Sequence, residues 1–288
     1  MRKLFTLGAA IVVSMAMLLT ACKKDNIQPT TSDNNNNSET PVDDGDGGEV
    51  TPNLEYSETA VVLPQAVTDI DGNTYDAVQI GNQVWMSENL RTTRYADGTT
   101  IPIGSTISNI EPYRYVPGPY QSNEENMSFI FHYGYLYNWP AVMHGESSST
   151  GNPSGVQGIC PNGWHVPSDA EWTELTNYMT TLSIYMASGN ADHLAKALAA
   201  TWGWNSSSET DAPGNNPSIN NVTGFSALPA GYCTTVHGDY GYNANIWSAT
   251  KYNDYTAYYR RLEYDGAYVF RYYGSHQYTG FSVRCVRD

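Results

Sequence analysis

The sequence predicts an α+β fold in which two helices pack on short, mostly antiparallel sheets joined by long loops. Two segments, around residues 169–182 and 191–198, carry apolar residues at three- and four-residue steps, as an amphipathic helix does. Most of the remaining sequence beyond residue 65 consists of short alternating runs separated by Gly, Asn and Asp, which is typical of antiparallel strands. Few helices among many short strands indicate the α+β class.

The composition is acidic and aromatic. The chain has 288 residues, 12% of them aromatic, and a formal net charge of −15. This length and aromatic content predict one large or two modest domains with a packed core. Nucleic acid is not an expected partner, because phosphate binding needs Lys and Arg to displace counterions, and the 14 Lys and Arg face 29 Asp and Glu.

Residues 1–21 have the pattern of a bacterial lipoprotein signal peptide. Arg2 and Lys3 precede an apolar run that ends in Leu-Thr-Ala directly before Cys22. The alternative is a transmembrane anchor, since the run is almost long enough to span a bilayer, but small residues leading into a cysteine favour lipoprotein processing. We predict that Cys22 is acylated and holds the protein in the outer membrane, facing outward. Cys-Lys-Lys-Asp resembles the export signals of surface lipoproteins of the Bacteroidetes type.

Residues 22–64 are predicted to form a disordered tether. Runs of Asn and Asp with scattered Thr, Ser and Pro offer too little apolar surface to offset the entropy of ordering. An ordered small domain is the alternative. About 40 residues reach roughly 130 Å when fully stretched, which is enough to hold a domain clear of a membrane. The folded domain is then expected over residues 65–288.

The domain is predicted to begin with three strands joined by tight turns. The strands are Val67–Ile70, Thr74–Ile80 and Gln83–Met86, and the turns are Asp71-Gly72 and Gly81-Asn82. A calcium loop is the alternative for the acidic and amide residues from 69 to 76. Gly72 is misplaced for an EF-hand, however, and no bidentate Glu follows at the expected position, so the tight turn is preferred.

The best-marked helix begins near Asp169. Ser168 and Glu171 form an S-x-x-E capping box, and the charge of Asp169 favours the positive end of a helix. Its apolar face consists of Trp172, Leu175, Met179 and Leu182. A second, shorter helix is predicted from Ala191, Leu194, Ala195 and Leu198, closed by Gly203.

Further strands are predicted on both sides of these helices. The alternation of Tyr133, Tyr135 and Tyr137 predicts a strand whose aromatic face packs in the core. The C-terminal part is predicted to contain the strands Ile246–Thr250, Ala257–Glu263, Ala267–Tyr273 and Phe281–Arg287.

Seven motifs occur along this domain. They are Asp69-Ile-Asp-Gly-Asn-Thr-Tyr75, Gln83-Val-Trp-Met-Ser-Glu-Asn-Leu90, Tyr133-Gly-Tyr-Leu-Tyr-Asn-Trp139, Cys160-Pro-Asn-Gly-Trp-His-Val-Pro-Ser168, Gly224-Phe-Ser-Ala-Leu-Pro-Ala-Gly-Tyr232, Trp247-Ser-Ala-Thr250 and Ser282-Val-Arg-Cys-Val-Arg-Asp288. In this order they resemble the Fibrobacter succinogenes major paralogous domain, over about residues 67–288. That domain is similar to the C-type-lectin-like fold, including its formylglycine-generating branch. The resemblance implies this fold, and we predict that Trp164, Trp172, Leu175 and Trp247 lie in its core.

Three cysteines remain beyond Cys22, so one pair and one free thiol are expected in an oxidising compartment. The resemblance implies that Cys160 pairs with Cys285, because lectin-like folds tie the region of the first helix to the last strand. Closing this loop contributes about 5 kcal/mol in the chain-entropy model. Cys233 is left as a thiol, either inert or activated by His237. The six histidines show no zinc-ligand spacing, and the Glu-Pro-Asn and Gln-Pro-Asp triplets of calcium-dependent lectins do not occur, so no metal or other cofactor is expected.

The last unusual feature is a run of nine tyrosines between residues 252 and 278. Tyrosine offers a large contact area at low rotamer cost, so this segment is predicted to bind a ligand; packing of a two-sided sheet is the alternative. The candidate ligand-binding residues are Tyr252, Asn253, Asp254, Tyr255, Tyr258, Tyr259, Tyr272, Tyr273 and His276. The residue types in this segment are also those that retroelement diversification of adenine-rich codons produces on lectin-like domains.

These features predict a surface lipoprotein that carries a ligand-binding or adhesive module for a glycan or a protein, without enzymatic activity. The alternative is a formylglycine-generating or other thiol-dependent enzyme that uses Cys233. The wide spacing of Cys233 and Cys285 argues against it, since the formylglycine-generating branch uses closely spaced cysteines late in the chain.

Overall fold

The computed structural model describes residues 60–118 and 127–288, all of which belong to one compact unit, Glu55–Asp288. The predictions made for residues 1–21, for lipidation of Cys22 and for most of the 22–64 tether lie outside the described residues. The first strand begins at Val61, a few residues before the predicted start of the domain.

The described residues contain four short helices and twelve strands, which confirms an α+β fold that is mostly β, although two helices rather than four were predicted. The helices are α1 (Met127–Tyr133), α2 (Trp139–Met143), α3 (Asp169–Met179) and α4 (Ala195–Leu198). The strands are β1 (Val61–Thr68), β2 (Thr74–Ile80), β3 (Gln83–Met86), β4 (Arg114–Tyr115), β5 (Leu136–Tyr137), β6 (Trp164–His165), β7 (Tyr232–Cys233), β8 (His237–Gly238), β9 (Asn243–Lys251), β10 (Thr256–Glu263), β11 (Phe270–His276) and β12 (Val286–Arg287).

The strands form antiparallel sheets. The largest has the order β1-β2-β3-β12-β6, so the last strand of the chain lies between β3 and β6. A second sheet has the order β11-β10-β9, and the pairs β4-β5 and β7-β8 are separate. The predicted strands Thr74–Ile80 and Gln83–Met86 and the tight turn at Gly81-Asn82 are confirmed. The predicted strand Val67–Ile70 is wrong beyond Thr68, because Asp69–Gly72 form a turn in which the Gly72 N–H donates to the Asp69 carbonyl.

Helix α3 begins where its capping residues predict. The Ser168 side chain accepts the Glu171 backbone N–H, and the Glu171 carboxylate accepts the Ser168 backbone N–H. The helix ends at Met179, so Leu182 lies beyond it and only the earlier part of the predicted apolar face is helical. Within that part Trp172, Leu175 and Met179 are buried.

The strand predicted from the alternation of Tyr133, Tyr135 and Tyr137 is wrong except at β5. Tyr133 is the last residue of α1, and Gly134 then turns the chain with a positive φ of 71°. A Cβ at Gly134 would lie 2.5 Å from the Leu90 carbonyl oxygen, so the turn needs glycine. All three tyrosines are nevertheless buried, which confirms their place in the core.

The second predicted helix is shorter than expected. Helix α4 begins at Ala195 rather than near Ala191, and it ends well before Gly203. The chain leaves the helix because Ala199 forms a bridge with Ala227, and the Ala200 N–H donates to the Ala227 carbonyl. Sheet-like pairing with a distant segment therefore replaces the next helical turn.

The core contains two large hydrophobic clusters rich in aromatic residues. They contain alternate residues of β2 and β3, so they lie on opposite faces of the main sheet. Trp85 and Trp172 pack with ring centroids 4.5 Å apart, and Phe225 lies against both. Trp247 packs on Phe281 in the other large cluster. The predicted core residues Trp164, Trp172, Leu175 and Trp247 are all buried, as expected.

One disulfide joins Cys160 to Cys285. It links the segments that lead into β6 and β12, which are themselves paired, so the covalent bond reinforces the β12-β6 end of the main sheet. Cys233 is a buried free thiol.

His165 lies between two carboxylates. Its Nε2 is 2.6 Å from Glu171 Oε1, and its Nδ1 is 2.7 Å from Asp288 Oδ1. Burial alone would lower the pKa of His165, but the hydrogen bonds with Glu171 and Asp288 outweigh burial and raise it. The protonated imidazole therefore stabilises the folded state.

We predict that the free energy of unfolding falls as the pH rises above about 6.5, the ordinary pKa of histidine. The stabilisation of the folded state by protonated His165 is fully present below that pH. It is lost as the pH rises through the raised pKa of His165 in the folded state. His165→Gln should remove this part of the pH dependence, whereas His132→Gln, at an exposed histidine, should keep it. Urea unfolding midpoints across the neutral range check this; parallel pH profiles for wild type and His165→Gln would contradict it.

Candidate binding surface

The sheet β9-β10-β11 carries most of the tyrosine-rich segment. Tyr259 pairs with Trp247 on one neighbouring strand and with Tyr272 on the other, and Arg260 pairs with Arg271. Because successive side chains of a strand point to opposite faces, Tyr259 and Tyr272 lie on one face, and the two arginines lie on the other.

The first of these faces packs toward the core. Tyr259 is 8% exposed, and its ring contacts Trp247 and Phe281 and stacks on Tyr272 at 5.5 Å. Tyr272 is partly buried against the same cluster. Tyr259 is therefore a core residue, and the prediction that it binds a ligand is wrong. Tyr272 is partly buried, so only part of its ring is accessible to a ligand.

The opposite face presents three tyrosine rings that contact each other. Tyr252 lies 4.6 Å from Tyr273 and 5.7 Å from Tyr258, and Tyr258 lies 6.0 Å from Tyr273, measured between ring centroids. Tyr252 is 52% exposed and Tyr273 is 50% exposed. We call Tyr252, Tyr258 and Tyr273 the tyrosine cluster; it brings together residues from the β9-β10 turn, from β10 and from β11.

An ion pair fixes the edge of the tyrosine cluster. The Arg271 guanidinium lies 4.3 Å from the centroid of the Tyr258 ring and donates to both carboxylate oxygens of Asp169 at 2.8–2.9 Å. The same carboxylate accepts from Arg260 Nη1 at 2.6 Å, and Arg260 is buried. Burial alone would raise the pKa of Asp169, but the hydrogen bonds with Arg271 and Arg260 outweigh it and lower that pKa.

Polar residues surround the cluster. The Asn253 side chain accepts the backbone N–H groups of Tyr255 and Thr256, which holds the turn that presents Tyr252. Tyr255 is 67% exposed, and Asp254 pairs with Lys251 at the surface. His276, also exposed, stacks on Tyr278 and lies at the end of β11. Seven predicted residues thus lie on or beside one exposed surface: Tyr252, Asn253, Asp254, Tyr255, Tyr258, Tyr273 and His276.

Cys233 lies apart from this surface. It pairs with His237 across β7 and β8, and both residues line a cavity of about 320 Å³. Burial raises the pKa of the Cys233 thiol to about 12, and burial lowers the pKa of His237. At neutral pH the thiol is therefore protonated, which opposes its use as a nucleophile.

The acidic side chains of the segment from Asp69 to Asp76 accept hydrogen bonds within the protein. Asp69 accepts the backbone N–H groups of Asp71 and Asn73 and the Tyr75 hydroxyl, while Asp71 binds Arg94 and the Thr93 backbone. Within residues 60–118 and 127–288, no group of three or more His, Cys, Asp or Glu side chains is arranged to hold a metal ion. In the same residues every helix is too short or too polar to cross a membrane.

The fold and the surface define an α+β domain, closed by a disulfide, that presents a fixed cluster of exposed aromatic side chains. Residues 78–287 match the Fibrobacter succinogenes major domain (Fib_succ_major). The chain therefore belongs to this family. No curated protein and no solved structure matches the chain.

The ion pairs of Asp169 predict unequal effects of two substitutions. Asp169→Ala leaves the buried Arg260 without its counter-ion and should lower the free energy of unfolding by about 3 kcal/mol or more. Arg271→Ala removes a half-exposed partner and should cost less than about 1 kcal/mol. Urea or thermal unfolding of both variants checks this. Equal losses of stability would contradict the assignment of Arg260 as the buried partner of Asp169 and Arg271 as the exposed one.

Proposed function

We propose that the chain is a lipid-anchored cell-surface protein whose domain binds a glycan or protein ligand through the tyrosine cluster. The observation that carries this proposal is the set of three mutually packed rings, in which Tyr252 and Tyr273 are exposed and the half-buried Tyr258 lies against Arg271, the partner of Asp169. Contact between the rings limits their rotamers before a ligand arrives, so binding loses little side-chain entropy.

The chemistry of the tyrosine cluster suits recognition. A tyrosine ring contributes apolar contact area, and its hydroxyl group donates or accepts a hydrogen bond. The neighbouring Arg271, Asn253 and Asp254 add groups that pair with hydroxyl, amide or charged groups of a ligand. Burial of Tyr259 beneath the surface supplies a rigid base, which allows the exposed residues to vary without loss of the fold.

A C-type-lectin-like fold is our proposal for the architecture. It is supported by the motifs from Asp69 to Asp288, by the disulfide between Cys160 and Cys285, and by the capped helix α3 beside that disulfide. In such folds the late part of the chain presents the ligand site, and this is where the tyrosine cluster lies.

We propose that the domain binds without catalysing a reaction. The elevated pKa of the buried Cys233 thiol opposes the thiol-dependent alternative. Cys233→Ser should accordingly leave ligand binding intact.

Outer-membrane anchoring is supported by the Leu-Thr-Ala-Cys sequence and the long polar segment behind it. Cys22→Ala should release the protein from the membrane fraction, because the acylated residue is lost. Cys233→Ala serves as the matched control and should remain with membranes. A Cys22→Ala protein that still sediments with membranes at unchanged electrophoretic mobility would refute the lipoprotein assignment.

The binding proposal is tested by probing glycan and protein arrays with the full-length protein. We expect at least one retained ligand, and Tyr252→Ala with Tyr273→Ala should abolish its retention while the melting temperature stays nearly unchanged, since both rings are half exposed. Tyr268→Ala, at a 45% exposed tyrosine outside the cluster, is the matched control and should bind normally. Equal binding by the double variant would place the site elsewhere.

A further inference from the structure

The Trp202 side chain is exposed to solvent, unlike those of the other tryptophans. It is 46% exposed, whereas the other six tryptophans of the chain are 8% exposed or less. The usual contribution of tryptophan to a fold comes from burying its large ring, so an exposed one needs another explanation.

The Trp202 ring is fixed in place by its neighbours. Its centroid lies 5.5 Å from that of His132 and 5.5 Å from that of Tyr133, with both pairs in edge-to-face geometry. Phe131, 58% exposed, packs on His132 at 5.4 Å. The three exposed rings of Phe131, His132 and Trp202 form a patch that we call the tryptophan cleft wall.

These rings line a cleft, which we call the tryptophan cleft, whose remaining lining is largely polar. Its volume is about 220 Å³, and the polar lining residues include Asp76, Ser87, Glu88 and Thr201. Drug-sized ligands need roughly 300–1,000 Å³, so this cleft fits a single small ring, such as one unit of a longer chain.

The polar lining is held by the protein itself. Asp76 Oδ1 accepts the Gln65 backbone N–H at 2.8 Å, and Glu88 Oε2 accepts the Asp76 backbone N–H at 2.9 Å. Asn221 and Ser226 hydrogen-bond each other at 2.7 Å. The cleft is therefore organised before a ligand enters, which lowers the entropic cost of binding.

The charged residues of the cleft help to decide whether it would bind a cation or a neutral ligand. Exposed aromatic rings bind either cations or the apolar faces of sugars, and Asp76 and Glu88 would favour a cation. The Arg91 guanidinium, however, lies 4.9 Å from the Phe131 ring centroid and 3.8 Å from Glu88 Oε1. This positive charge balances Glu88 and would repel a second cation at the Phe131 ring. The remaining carboxylate, that of Asp76, accepts hydrogen bonds from hydroxyl groups, so we favour a neutral ligand that carries hydroxyl groups.

We propose that the tryptophan cleft binds one neutral sugar unit. The C–H face of the sugar would stack on Trp202, and its hydroxyl groups would bond to the carboxylate of Asp76 and the hydroxyl groups of Ser87 and Thr201. This site is separate from the tyrosine cluster and does not depend on the function proposed for it.

The test uses the full-length protein and the methyl glycosides of glucose, galactose, mannose and N-acetylglucosamine. Because Trp202 is the exposed tryptophan, a bound sugar should shift the emission spectrum and reduce acrylamide quenching in a saturable way. Calorimetry should show that Trp202→Ala weakens the binding at least about tenfold. Trp202→Phe should weaken it less, because a smaller ring still stacks. Circular dichroism verifies that both variants fold.

Tyr252→Ala, in the tyrosine cluster, should leave sugar binding at the tryptophan cleft unchanged, which separates this proposal from the preceding one. Tetramethylammonium is the cationic comparison and should not compete. The proposal is overturned if none of the glycosides binds at tens of millimolar, if Trp202→Ala binds as well as wild type, or if tetramethylammonium alone protects Trp202.

Discussion

The carboxylate of Asp169 connects the main helix of the domain to its exposed surface. Asp169 is the first residue of α3, where the helix dipole favours a negative charge, and its backbone N–H donates to Thr250 at the end of β9. The carboxylate binds Arg260 on the buried side and Arg271 on the exposed side. Arg271 in turn lies against Tyr258, so the geometry of the tyrosine cluster depends on how the helix begins.

Local signals made part of the fold predictable. The Ser168 and Glu171 cap involves residues three positions apart, and the turn at Gly81-Asn82 depends on adjacent residues, so both could be recognised in the sequence. The alternation that ends at Tyr137 was misleading, because Gly134 reverses the chain within it. Gly134 packs closely against the Leu90 carbonyl oxygen, 44 positions earlier in the chain. A contact between residues so far apart leaves no pattern in the local sequence.

The candidate site was predictable in composition and only partly in geometry. A tyrosine-rich segment indicates a recognition surface, yet the register of three strands decides which ring of each adjacent pair faces solvent. In Tyr258-Tyr259 the second ring is buried on Trp247, and in Tyr272-Tyr273 the first is partly buried. The pairing of Asp169 with Arg271 spans 102 positions, and the sequence contains no signal that identifies it.

Nuclear magnetic resonance can show whether a ligand contacts the tyrosine cluster and leaves the core tyrosines untouched. The full-length protein would carry ¹³C-labelled tyrosine rings and be titrated with a ligand retained on the arrays. We expect the ring signals of Tyr252, Tyr258 and Tyr273 to shift, while those of the buried Tyr75 and Tyr137 stay in place. Ligand-induced shifts confined to tyrosines outside the cluster would contradict this expectation.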